Sequence, residues 1–159
     1  MKSYFKKITL IFCSLLTVIT FCSCKEKETL SPADISEKIV EENTLTELSP
    51  LSGEKLYSYF EFKNSDVNRF SVMISNSTEN SDTVAVFEVK DEDSRSLVVT
   101  GISKYIDKLS NSMRTVKNEH EKVSSRVLME VDDLIILVIS SCSENVEKQL
   151  SLIGAKAIY

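Results

Sequence analysis

The apolar positions of this chain change period several times, and each change predicts a different element. The first block is continuous. Ile8 to Phe21 is apolar apart from Cys, Ser and Thr, follows Lys2, Lys6 and Lys7, and breaks at Cys22-Ser23-Cys24 into Lys25-Glu26-Lys27-Glu28. A basic start, a short apolar core and a small residue before the break have the layout of a secretory signal. Its 14 apolar-block residues fall short of the roughly 20 that a spanning helix needs. Beyond the polar stretch, Ser31-Pro32-Ala33-Asp34 predicts a helix start, with Ser31 as N-cap, Pro32 at the first helical position and an acid three residues after the cap. Ile35, Ile39 and Val40 carry a weak stripe to about Glu42, which Leu45 and Leu48 extend toward Pro50.

A short helical turn is predicted near Ser52, bringing Leu56, Tyr57, Tyr59 and Phe60 to the core. Phe70, Val72 and Ile74 then alternate with Ser71, Met73 and Ser75, the period of a strand. Residues 76–82 are a polar loop. Thr83 to Lys90 reads as a second strand, too continuously apolar to be bare on one face. Asp91-Glu92-Asp93-Ser94 is an acidic helix start, favoured by the positive end of the helix dipole. From Arg95 to about Asn118, Val98, Ile102, Tyr105, Ile106, Leu109, Met113 and Val116 recur at spacings of three and four, marking the longest amphipathic helix. Arg126–Val131 and Leu134–Ser140 are predicted strands around an Asp132-Asp133 turn, the second apolar enough to be central. A last helix starts at Ser143 or Glu144, places Val146, Leu150 and Ile153 on one face and stops at Gly154. The expectation is an α+β domain. It has a mostly antiparallel four-stranded sheet, one long helix packed on a face, and shorter N- and C-terminal helices. Residues 1–23 are assigned to a lipoprotein signal peptide, 24–31 to a tether and 32–159 to a single domain.

Cysteine placement sharpens the reading of the first block. Phe21-Cys22-Ser23-Cys24 resembles the bacterial lipobox, with Ser23 before the cut and Cys24 as the lipid-bearing residue. It departs from that pattern at Phe21, where Leu, Val or Ile is usual. The register ending at Cys22 would put bulky Phe21 next to the cut. Cleavage at Cys24 leaves 136 residues with 16 basic and 24 acidic side chains, a net charge of −8. That charge disfavours nucleic acid and anionic headgroups as partners, so the acyl chains on Cys24 are what would hold the protein to membrane lipid. Cys142 is then the one free thiol, which leaves no intramolecular disulfide to form; it reads as a small hydrophobe.

Motifs with chemistry are sparse. His120 is the only histidine, among charged neighbours, and reads as a solvated loop residue rather than a zinc ligand. Ser52-Gly53-Glu54-Lys55 has the S-x-x-K spacing of serine acyl enzymes but lacks the S-D-N and K-T-G that accompany it, so Ser52 reads as a helix cap. Asp91, Glu92 and Asp93 do not follow the EF-hand pattern, since Arg95 stands at its fifth position. Like Asp132 and Asp133, they read as a helix start and an exposed turn. No catalytic residue, metal site or cofactor is assigned.

Two stretches carry a family resemblance. Asp82-Thr83-Val84-Ala85-Val86-Phe87-Glu88-Val89-Lys90-Asp91 and the late hairpin around Asp132-Asp133 resemble a family of small Gram-positive bacterial lipoproteins known only as a domain of unknown function, over most of residues 32–153. The family usually has Gly-Asn at the hairpin turn and a Tyr-x-Pro segment after the long helix, and this chain has neither. The resemblance implies no activity. The functional expectation is a lipid-anchored protein on the extracytoplasmic face of the cell membrane, acting as a non-catalytic binding or interaction module. Its partner would be an envelope protein or ligand. A small envelope hydrolase or modifying enzyme using carboxylates is the alternative.

Overall fold

In the computed structural model, which describes residues 30–158, the alternating segments assemble into a six-stranded sheet. The strands are β1 (Leu48–Pro50), β2 (Arg69–Ser75), β3 (Thr83–Glu88), β4 (Val127–Val131), β5 (Leu134–Ile139) and β6 (Lys156–Ala157), in the order β1-β2-β3-β5-β4-β6. Every pairing is antiparallel. The helices are α1 (Pro32–Glu42), α2 (Leu56–Phe60), α3 (Glu92–Ser112), α4 (Lys117–Ser124) and α5 (Ser143–Leu152). The α+β class and the antiparallel sheet agree with the sequence reading. The four-stranded sheet is corrected to six strands, because β1 and β6 add one edge each. The proposed signal 1–23, Cys24 and the tether up to residue 29 lie outside the described residues.

Alternation explains why the sheet is buried on both sides. On β3, Ala85 and Phe87 point to one face while Val84 and Val86 point to the other; on β5, Ile135, Leu137 and Ile139 oppose Leu134, Ile136 and Val138. The first face packs against α2, α3 and α4 through Leu56, Phe60, Val98, Ile102, Ile106 and Val123. The second packs against α1 and α5 through Ile35, Ile39, Val146 and Leu150. A sheet apolar on both faces needs helices on both, and the result has three layers. The long helix lies on one face as expected, and the N- and C-terminal helices, which the sequence reading left unplaced, cover the other.

Boundaries moved where local chemistry outweighed the stripe. Ser31 caps α1 as expected, its hydroxyl accepting from the Asp34 N–H at 3.1 Å. The helix ends at Glu42, however, and Leu48 belongs to β1 rather than to a helical extension. Asp91 caps α3, accepting from the Ser94 N–H at 2.8 Å. That helix ends at Ser112, and 117–124 form the separate α4. Ser52 stands at a 3-10 turn, but its side chain makes no capping bond. Gly154, at φ +88°, follows the end of α5 as expected, while Ile153 lies beyond the helix and is partly exposed.

Candidate functional site

The two helices on the second face do not meet along their whole length. Ile35 and Ile39 from α1 and Leu150 from α5 press toward the sheet, and between them a groove of about 340 Å³ stays open. Its rim is Leu30, Leu152 and Ile153, with Asp34, Lys38 and Glu42 along one wall and Gln149 on the other. Leu152 is 87% exposed, Ile153 40% and Leu30 37%. Half of the exposed large hydrophobic residues among the described ones therefore surround one depression. Below the groove the helices are tied by amides. The Asn43 amide donates to the Ile39 carbonyl at 2.9 Å and to Gln149 at 3.1 Å, and accepts from the Asn145 amide at 2.7 Å. The spacing of the two helices is thus held by part-buried hydrogen bonds between Asn43 and the amides of Gln149 and Asn145.

A second depression, about 370 Å³, lies on the other face between α3 and the 76–82 loop. Tyr59 and Tyr105 line it, their ring centroids 6.4 Å apart. The polar groups beside it are already engaged. Glu119 accepts from both the N–H and the hydroxyl of Ser81 at 2.8 Å, and Lys122 lies 3.0 Å from both Asp82 and Glu119. Burial would raise the Glu119 carboxyl, but the Ser81 donors and Lys122 outweigh it and hold it below its ordinary value. Burial likewise would lower Lys122, but Glu119 and Asp82 hold it above its ordinary value. The Tyr105 hydroxyl shares a 2.8 Å hydrogen bond with Thr83, and burial raises its pKa. The cluster fastens α4 to the loop with every charge compensated. Nothing in the sequence pointed to it, because its members stand 38 to 42 residues apart in the chain.

The candidate residues from the sequence scatter. Asp91, Glu92 and Asp93 lie exposed at the start of α3, and Asp132 and Asp133 are exposed at the β4–β5 turn. Ser52 precedes a 3-10 turn whose last residue is Lys55, and both side chains are exposed. His120 is corrected from a solvated loop to a half-buried helical position on α4, its Nδ1 buried with no hydrogen-bond partner. Cys142 is half-buried just before α5, with its sulfur 3.9 Å from the Asn43 carbonyl oxygen. Cys24 lies outside the described residues. Among the described residues, no group of His, Cys, Asp and Glu is placed to hold a metal ion. Nor is any described helix long and apolar enough to cross a membrane.

The class defined here is a small three-layer α+β domain with an apolar groove between the first and last of its described helices. The chain belongs to the family "Domain of unknown function (DUF4358)", whose model matches residues 41–140. The match begins near the end of α1 and stops after β5, so it is shorter than the 32–153 resemblance. Of the groove-lining residues only Glu42 falls within it. No curated protein and no solved structure matched the chain.

Proposed function

We propose that this protein is an extracytoplasmic lipoprotein, held on the cell membrane by acyl chains on Cys24, whose domain works as a non-catalytic binding or interaction module. The observation that carries the reading is the basic, apolar and Phe21-Cys22-Ser23-Cys24 succession, six residues before the described fold opens at Leu30. Two acyl chains at about 0.8 kcal/mol per buried methylene anchor a domain stably without help from charge. Partners beyond membrane lipid are an envelope protein, a wall component or a small solute.

The electrostatics speak only to two carboxyls, Glu61 and Glu119, neither of which has the character a carboxylate hydrolase needs in its general acid. A general acid of that kind needs a carboxyl held above its ordinary range. Glu61 and Glu119 are both held below it by lysines and hydrogen bonds, and Lys122 is held protonated. Cell fractionation of Cys24→Ser tests the anchoring. The variant should leave the membrane for the medium, or remain as the uncleaved precursor with a correspondingly larger mass. Unchanged membrane retention at unchanged mass would contradict the reading.

A further inference from the structure

The groove between α1 and α5 is placed where a lipid surface would meet it. Leu30, the first described residue, forms part of its rim. Leu30 is six positions on from Cys24, with five residues between them, and at ~3.5 Å per position a fully extended chain reaches at most about 20 Å. A lipid on Cys24 therefore keeps the groove mouth close to the bilayer. The remaining rim residues, Leu152 at the end of α5 and Ile153 just after it, are exposed apolar side chains lining the same groove as Leu30. Leu152 is 87% exposed, so most of its side chain is left uncovered by the domain. Clustered exposed apolar side chains of this kind mark an interaction surface.

We infer that this groove is a membrane contact: Leu30, Leu152 and Ile153 dip into the interface of the bilayer that carries the anchor, and the groove takes lipid acyl groups. The inference rests on the Cys24 reading, because the short connection is what brings this face to the lipid. The contact fixes the domain's orientation. The α1–α5 layer faces the membrane, and the α2–α3–α4 layer faces away, presenting the Tyr59–Tyr105 side to the envelope.

The test uses the complete mature lipoprotein in phosphatidylcholine vesicles. Leu152→Cys, in a Cys142→Ser background, carries an environment-sensitive fluorophore; Leu97→Cys on α3 serves as the control on the opposite layer. Mass spectrometry of the same sample establishes whether Cys24 is acylated, which separates failure of the anchoring from failure of the contact. With Cys24 acylated, the probe at 152 should shift to the blue and be quenched by lipid-borne nitroxides. Its accessibility to aqueous iodide should fall severalfold relative to the probe at 97. Equal iodide accessibility at the two sites would overturn the contact. So would protection of 152 without vesicles, which would mean self-association, or protection only in native membranes and not in pure lipid, which would mean a protein partner.

Discussion

Gly101 shows how one residue sets the approach of two elements. It lies within α3, and a Cβ there would stand 2.2 Å from the Phe60 carbonyl oxygen and 2.7 Å from a ring carbon of Phe62. The Phe60–Phe62–Phe87 cluster, with centroid separations of 5.2 to 5.9 Å, depends on that closeness. Gly101→Ala should destabilise the fold by about 3 kcal/mol or more, because a backbone oxygen cannot step aside as a side chain can. Denaturant unfolding checks this, and a change under about 1 kcal/mol would refute it. The need for glycine was not legible in the sequence, since the atoms it avoids belong to residues about forty positions earlier. Glu61 is a second case. It ends α2 with φ +62° and accepts from Lys104 and Lys108 at 2.7 Å, which lowers its carboxyl pKa from an ordinary 4.5 to about 2. A carboxyl that ionises more readily when folded contributes stability above pH 4.5, and that contribution is lost as pH falls toward 2. Lys104→Met with Lys108→Met should return the Glu61 titration, followed by NMR, toward 4.5. An unchanged midpoint would show that the pairs are not what lowers it.

Elements were legible where one strong period ran long enough. Strands β2 to β5 and helices α1, α3 and α5 follow from alternation or from three- and four-residue spacing. β1 and β6 have three and two residues, too few for any period to register, and exist only because β2 and β4 offer free edges. α4 reads Lys-Asn-Glu-His-Glu-Lys-Val-Ser, and Val123 is its one fully buried residue. Its fastening comes instead from Glu119 and Lys122 reaching the 76–82 loop. Caps divide by whether the side chain makes its bond. Ser31→Ala and Asp91→Ala should each cost about 1 kcal/mol, whereas Ser52→Ala should stay within about 0.5 kcal/mol, since that hydroxyl caps nothing. Thermal unfolding of the three variants side by side tests the ordering, and an equal loss for Ser52→Ala would contradict it. Asn43→Ala removes bonds to α5 as well as to α1 and should cost about 1–3 kcal/mol.

At the scale of the whole molecule, the sequence offers a proposal for the compartment through the Phe21-Cys22-Ser23-Cys24 stretch, but left the groove hidden. The groove arises where α1 and α5, more than a hundred residues apart, share one sheet face, and where Leu152, the last residue of α5, and Ile153 just after it stand uncovered. The candidate chemistry of the sequence, the S-x-x-K spacing and the acidic pairs, resolved into exposed turns and helix starts, as short motifs do when nothing converges on them. On the proposed reading, one thiol, Cys24, sets both the compartment and the orientation of the domain. The most direct measurement is therefore intact and peptide mass spectrometry of the protein isolated from its native cell. The account predicts a product beginning at Cys24 with a thioether-linked diacylglycerol on its sulfur. A product beginning at any other residue, or Cys24 without acyl chains, would contradict it.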